Sequence, residues 1–246
     1  MRHAYVTTET DHTSRALPGG TGEVRVTIDR AAGCQNLVQR VCRFGPGRSA
    51  EVRHHVSEEV LYVARGRGAA LVDGRSHALA PGTGLLVPPG SAFAIDNPGP
   101  AELTLVSILS PQPDRAPGQQ ADAELRADGK LTASEDEEQA IAAGDDRVFR
   151  LLIDPRYGCR NLTQFVGTIS PGRSPDHTHT YEEVVYILEG EGVVHAAGER
   201  YRIETSSCIY LPPGTPHCLE NTGTGLLRLL GVFCPAGSPA AKQEAR

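Results

Sequence analysis

Apolar residues in this chain come in short runs: VRVTI, NLVQRV, VLYVA, GLLVPP and LTLVSIL in the first half, FRLLI, NLTQFV, VVYIL, CIYLPP and LLRLLGVF in the second. Each is rich in β-branched or aliphatic residues and is bounded by Gly, Pro or Asn, which predicts strands joined by tight turns rather than amphipathic helices. Many short strands of this kind predict an all-β antiparallel sandwich or barrel. One helical pattern stands apart, near Ser134 to Ala143, where Ser134 and Glu137 have the spacing of a capping box.

The runs recur because the chain is duplicated. Ile28 to Ser49 matches Ile153 to Ser174 at 12 of 22 positions with an offset of 125. Downstream, Glu58 to Gly68 matches Glu182 to Gly192, and Leu86 to Gly90 matches Tyr210 to Gly214, at an offset of 124. One residue was therefore gained or lost between Ser49 and Glu58. A period near 125 suits a whole domain rather than a solenoid repeat. The expected organisation is an N-terminal domain over 1–112, a linker rich in Pro, Gly, Gln and acid over 113–144, and a C-terminal domain over 145–246.

Composition narrows the function classes. With 24 Lys and Arg against 30 Asp and Glu, the net charge is -6, which argues against nucleic acid or an anionic membrane as partner. No run approaches the length of a membrane span, and the polar first twenty residues, broken by Pro and Gly, lack the apolar stretch of a secretion signal. The six cysteines include no CxxC pair and are expected to be reduced thiols in a cytoplasmic protein.

The chemistry concentrates in GRSPDHTHTYEEVVYILEG, residues 172–190, and LPPGTPHCLEN, residues 211–221. His177 and His179 are two apart, so in an extended strand both imidazoles share a face. Glu183 follows after three residues and can turn toward the same cavity while Glu182 points away, and His217 arrives behind a PPG turn. Imidazole and carboxylate without thiolate suit a borderline divalent ion such as Fe(II), Mn(II), Ni(II), Zn(II) or Co(II), and argue against a structural zinc knot.

These segments resemble the two motifs of the cupin superfamily, G(X)5HXH(X)3-4E(X)6G and G(X)5PXG(X)2H(X)3N. Gly172, His177, His179, Glu183 and Gly190 match the first with one residue fewer before the histidines; Pro212, Gly214, His217 and Asn221 match the second, with Ser206 in place of its leading glycine. The resemblance implies two tandem cupin (jelly-roll β-barrel) domains, a bicupin, with His177, His179, Glu183 and His217 as ligands to one metal ion per chain, Fe(II) foremost.

At an offset of 124 the corresponding first-copy positions are Arg53, His55, Glu59 and Phe93, so two of the four ligands are lost. Arg53 is expected to replace the ion by pairing with Glu59 or to hold a carboxylate ligand, Phe93 to fill the space of an imidazole, and His54 to face outward. Around the intact cluster, Tyr210 is the candidate proton donor beside Glu183, with Cys208 as a cavity wall; Gln164 (repeated as Gln39), His195 and Cys218 are weaker candidates. The expected function is a mononuclear non-haem Fe(II)-type dioxygenase acting on a small enolisable or phenolic substrate. The alternatives are a metal-dependent isomerase, cyclase or decarboxylase of a small carbonyl compound, or a non-catalytic small-molecule-binding protein. Homodimerisation through an edge strand is a further expectation.

Overall fold

The computed structural model describes residues 3–113, 129–144 and 147–239. Each copy folds into a large and a small antiparallel sheet, the sandwich that the short runs predict and the tandem jelly-roll arrangement that the cupin resemblance implies. In the second copy the large sheet runs Tyr5–Thr8, Ser207–Leu211, Glu182–Glu189, Leu227–Cys234, Thr163–Ile169, Arg147–Leu151, Ile141–Ala142; the small sheet runs Gly172–Arg173, His217–Asn221, Glu191–Ala196, Glu199–Glu204. In the first copy Glu58–Arg65, Leu103–Ser110 and Val38–Phe44 occupy the centre of the large sheet, and Ala92–Asn97 and Gly68–Val72 that of the small one. No helix among the described residues is long and apolar enough to cross a membrane.

The central strands are apolar at consecutive positions because both of their faces are buried. On Glu182–Glu189, Val185 and Ile187 point into the second barrel, while Val184 and Tyr186 pack against the first copy. The molecule thus has three cores. Two are barrel interiors, and the third is a seam where Val60, Leu86, Val106 and Ile108 of one large sheet meet Val166, Val184, Leu230 and Val232 of the other.

Two reciprocal exchanges lock the seam. Tyr5–Thr8 pairs with Ser207–Leu211 of the second barrel, whereas Thr132–Ser134 pairs with Thr83–Val87 of the first. Each copy is therefore preceded by a strand that completes the other copy's sheet, and the expected N-terminal domain over 1–112 opens inside the C-terminal sheet. The expected linker contributes short strands to both barrels. Its helix near Ser134 to Ala143 is absent: Glu137 and Glu138 donate backbone hydrogen bonds to Ser134 O in one turn, and the chain then extends as Ile141–Ala142. The capping residues are present, but pairing with the barrel edge wins over weak local helicity.

The second exchange uses the repeated Glu-Glu pair. Glu182, 2 % exposed, accepts hydrogen bonds from Gln35 N (2.7 Å), Asn36 N (2.9 Å) and Asn36 Nδ2 (2.8 Å), and Glu58 accepts from Arg160 N (2.7 Å) and Asn161 N (2.6 Å). Each carboxylate thus clasps the Gly-Cys-x-Asn loop of the opposite copy. Glu182→Ala leaves two partly buried backbone amides, Gln35 N and Asn36 N, without their acceptor. It is expected to cost about 2–4 kcal/mol and lower Tm by about 5–10 °C in thermal denaturation. Removing residues 1–8 is expected to speed amide hydrogen exchange in Ser207–Leu211 more than in the first barrel's strands.

Candidate metal centre

Backbone pairing brings the second-copy cluster together. His177 and His217 sit directly opposite each other in an isolated antiparallel bridge, joined by His177 N to His217 O and His217 N to His177 O, both 2.9 Å. Gly214 N donates to His179 O (2.7 Å) from a left-handed turn with φ 76, tying the PPG turn to the HxH segment. Ser206, where the second motif carries glycine, also holds a left-handed φ of 75. Asn221 is a fastener, donating to Ile169 O (2.9 Å) and Gly225 O (2.8 Å), and Asn97 does the same in the first copy.

Ligand atoms of His177, His179 and His217 lie within 4.8 Å of one another. Glu183 Oε2 is 3.7 Å from His179 Nε2 and 3.6 Å from His217 Nε2. That oxygen is buried and has no hydrogen-bond partner. His217 Nδ1 lies 2.9 Å from Thr215 O, and His177 Nδ1 lies 3.2 Å from Pro175 O. A ring whose Nδ1–H is held by a carbonyl turns the lone pair of Nε2 to the cavity, as a metal ligand must. Burial, followed by the proximity of the other imidazoles, lowers the pKa of His179 to about 3; burial and His177 lower that of His217 to about 4. Burial alone raises Glu183 to about 8. Neutral imidazoles around an unpartnered buried carboxyl fit a divalent cation, which would supply the missing positive charge.

The cluster forms one end of a cavity of about 80 Å³, whose walls include Arg147, Phe149, Phe165, Leu229 and Phe233. Tyr181 stacks on His179 at 4.8 Å and 15°, and its hydroxyl donates to Ser238 O (2.9 Å), so the chain after the last strand packs over the ligand side.

Tyr210 is not in this cavity. It is paired with Val184, one residue out of phase with Glu183, so it faces the seam, where its hydroxyl donates to Glu182 Oε1 (2.9 Å). Cys208 is in the seam as well. Gln164 also points there, its side-chain oxygen close beside Gly84. His195 faces Glu220 (2.7 Å), and Cys218 accepts from Arg173 Nε (3.3 Å); neither lines the cavity. Arg147 was not among the residues singled out from the sequence. The signal was its alignment with Gly22 in the duplicated register.

The first barrel corrects the assignment of the degenerate ligands. Val52 pairs with Phe93 as His177 pairs with His217, and Gly90 N donates to His54 O as Gly214 N does to His179 O. The equivalents are therefore Val52, His54, Glu59 and Phe93, and the extra residue lies between His54 and Glu59. Arg53 is exposed and donates to Gly90 O, and His55 is exposed. His54 Nε2 instead lies 3.1 Å from Glu59 Oε2, and Phe93 is buried in the barrel interior. The cation beside Glu59 is Arg40, at 2.7 Å, with Ser107 hydrogen-bonded to both. Arg40 aligns with Phe165, and Ser107 with Gly231; in the second barrel the Phe165 ring lies 2.2 Å from where a Cβ on Gly231 would stand. Arginine over serine in one barrel is thus phenylalanine over glycine in the other.

A model of the cupin domain matches residues 40–109 and 165–233, more than half of the chain. Among curated relatives, an uncharacterised protein of Methanocaldococcus jannaschii is 44 % identical over 60 residues, 24 % of this chain and 48 % of that protein. The oxalate-binding protein of Thermotoga maritima is 39 % identical over 67 residues, 26 % of this chain and 55 % of that protein. The chain spans about half the length of these relatives. Among solved structures, a Pseudomonas aeruginosa protein described as glyoxylate-induced superposes with TM-score 0.79 at 20 % identity, covering 95 % of this chain and 90 % of its own. Bacillus subtilis oxalate decarboxylase, whose Mn(II) centres have been studied, gives 0.75 at 15 %, covering 95 % and 78 %. At these identities the likeness concerns the fold.

Burial would raise Glu59, but the Arg40 charge, then His54 and Ser107, hold it at about 2. A carboxylate depressed on folding adds stability that is complete above its ordinary value near 4.5 and is lost as pH falls toward about 2. Arg40→Leu strands that charge and is expected to cost about 3–5 kcal/mol at pH 7, a loss that Arg40→Leu with Glu59→Leu largely restores in denaturant titrations.

Proposed function

The chain belongs to the cupin-domain family, and from that premise we propose that it is a mononuclear metal enzyme using His177, His179, His217 and Glu183 of the C-terminal barrel. The observation that carries the reading is the contrast between two equivalent buried carboxylates. Each has one buried oxygen without a hydrogen-bond partner, but Glu59 has a guanidinium at 2.7 Å, whereas Glu183 has three imidazoles and the apolar Phe165 where that arginine would be. A divalent ion supplies the positive charge that the second barrel's sequence omits.

The walls narrow the reaction. Among the described residues lining the cavity, no Asp, Glu, Lys, Tyr, Cys or His lies outside the ligand set. Isomerisation and cyclisation need a side chain that takes up and returns a proton within hydrogen-bond reach of the substrate. When bound, an Fe(II) or Mn(II) ion supplies Lewis acidity and redox chemistry without such a side chain. The three imidazoles and Glu183 would hold that ion, and Phe149, Phe165, Leu229 and Phe233 would give a substrate beside it an apolar wall. We therefore favour dioxygenase chemistry on a small substrate that chelates through two oxygens. Decarboxylation of a small acid is the second reading, favoured by relatives named for oxalate.

Metal analysis of the protein isolated without chelator is expected to give one ion per chain, falling to near zero in His179→Ala. Two ions per chain would contradict the pairing of Arg40 with Glu59 in the first barrel. Because Glu183 is raised to about 8, uptake of the ion releases its proton; apparent affinity is expected to rise about tenfold per pH unit up to about pH 8 and then flatten. With the Fe(II)-loaded protein, catechols, flavonols and diketones are expected to consume oxygen. Product without oxygen loss would select decarboxylation, and binding without product would select a binding protein.

A further inference from the structure

We infer that Tyr181 is a positioning residue for the metal ligand His179: its ring does for that imidazole what a backbone carbonyl does for the other two, and residues 235–239 hold the ring in place. The inference rests on the metal reading and carries it from the ligands to what orients them.

Three imidazoles meet at one ion only if each ring is held with its lone pair toward the cavity. His177 and His217 each have a carbonyl beside Nδ1, Pro175 O at 3.2 Å and Thr215 O at 2.9 Å. His179 Nδ1 is buried and has no hydrogen-bond partner. Packing must therefore orient this ring. Tyr181 stacks on it with centroids 4.8 Å apart and planes 15° from parallel, and Phe233 lies against His179 at 5.2 Å and against Tyr181 at 4.4 Å.

The platform is itself anchored. The Tyr181 hydroxyl donates to Ser238 O (2.9 Å), and Gly237 N donates to Thr163 Oγ1 (3.2 Å), which ties the segment to the strand Thr163–Ile169. A Cβ on Gly237 would stand 2.5 Å from Tyr181 Cε1, so the backbone rests directly on the ring and glycine is required there. Constraint passes from Thr163 through residues 237 and 238 to Tyr181, and from Tyr181 to His179.

The duplicated copy supplies a control. Ser57 aligns with Tyr181, and its hydroxyl donates to Pro111 O (2.7 Å), so the tie to the chain after the last strand is kept while the ring is missing. That barrel lacks two of the four ligands and has no ion to assemble around. The aromatic platform and the complete ligand set occur in the same copy.

The test loads the full chain with Co(II), whose visible spectrum reports the geometry of its ligands without turnover. Tyr181→Leu is expected to weaken Co(II) affinity by roughly ten- to a hundred-fold, the range for a lost outer-shell partner, and to change the spectrum. Tyr181→Phe keeps the stack and gives up the hydroxyl; it is expected to retain the wild-type spectrum and affinity while the amides of residues 237 and 238 exchange faster with solvent. Wild-type spectrum and affinity in Tyr181→Leu, whatever its Tm, would overturn the positioning role. So would a loss in Tyr181→Phe as large as that in Tyr181→Leu. A wild-type chain that takes up no Co(II) would instead overturn the metal reading beneath it.

Discussion

A carboxylate buried among apolar side chains needs a positive charge beside it, and the two halves of this chain meet that need in opposite ways. In the first barrel a strand residue, Arg40, reaches Glu59 at 2.7 Å, and Ser107 opens the space for it. In the second the same two positions hold Phe165 and Gly231, a ring packed over a bare backbone, and Glu183 faces three imidazoles. Internal arginine and metal are alternative solutions to one electrostatic demand. The choice separates a barrel whose interior cavity ends on an internal ion pair from one whose cavity ends on a donor set.

Mutual support of the barrels has a physical meaning. The two large sheets share a core as extensive as either barrel interior, and each barrel completes the other's sheet with the strand that precedes it in sequence. Glu58 and Glu182 add reciprocal clasps. Glu182 shows how closely clasp and site are coupled: it is the neighbour of Glu183 on one strand, so the alternation that sends one carboxylate into the cavity sends the other into the opposite copy. Tyr210, bonded to Glu182, belongs to that second face. The ligand geometry is thus held from behind by the first copy.

The cavity itself is almost wholly apolar, with charge only at the ligand cluster and at Arg147. Apolar walls strengthen the electrostatics of the ligand cluster, so the charge of a small ligand matters there as much as its shape.

The sequence by itself determined the duplication, the all-β class, the domain-sized period and the histidine and glutamate set, because local turn chemistry, β-branched runs and i,i+2 spacing act within a few residues of one another. Within an unbroken strand the parity argument held, sending Glu183 and Glu182 to opposite sides. It failed where the ladder was interrupted: one extra residue between His54 and Glu59 turned His54 inward and His55 outward, and only the pairing of Val52 with Phe93 reveals where that residue lies. Tertiary structure alone decided that Tyr210 faces the seam, that Arg40 is Glu59's partner, and that the chain's first strand completes the far barrel. Those outcomes depend on which strands become neighbours, at separations from 19 residues for Arg40 and Glu59 to 205 for Tyr5 and Tyr210, and such contacts are set by the burial of whole sheet faces, which no local pattern encodes.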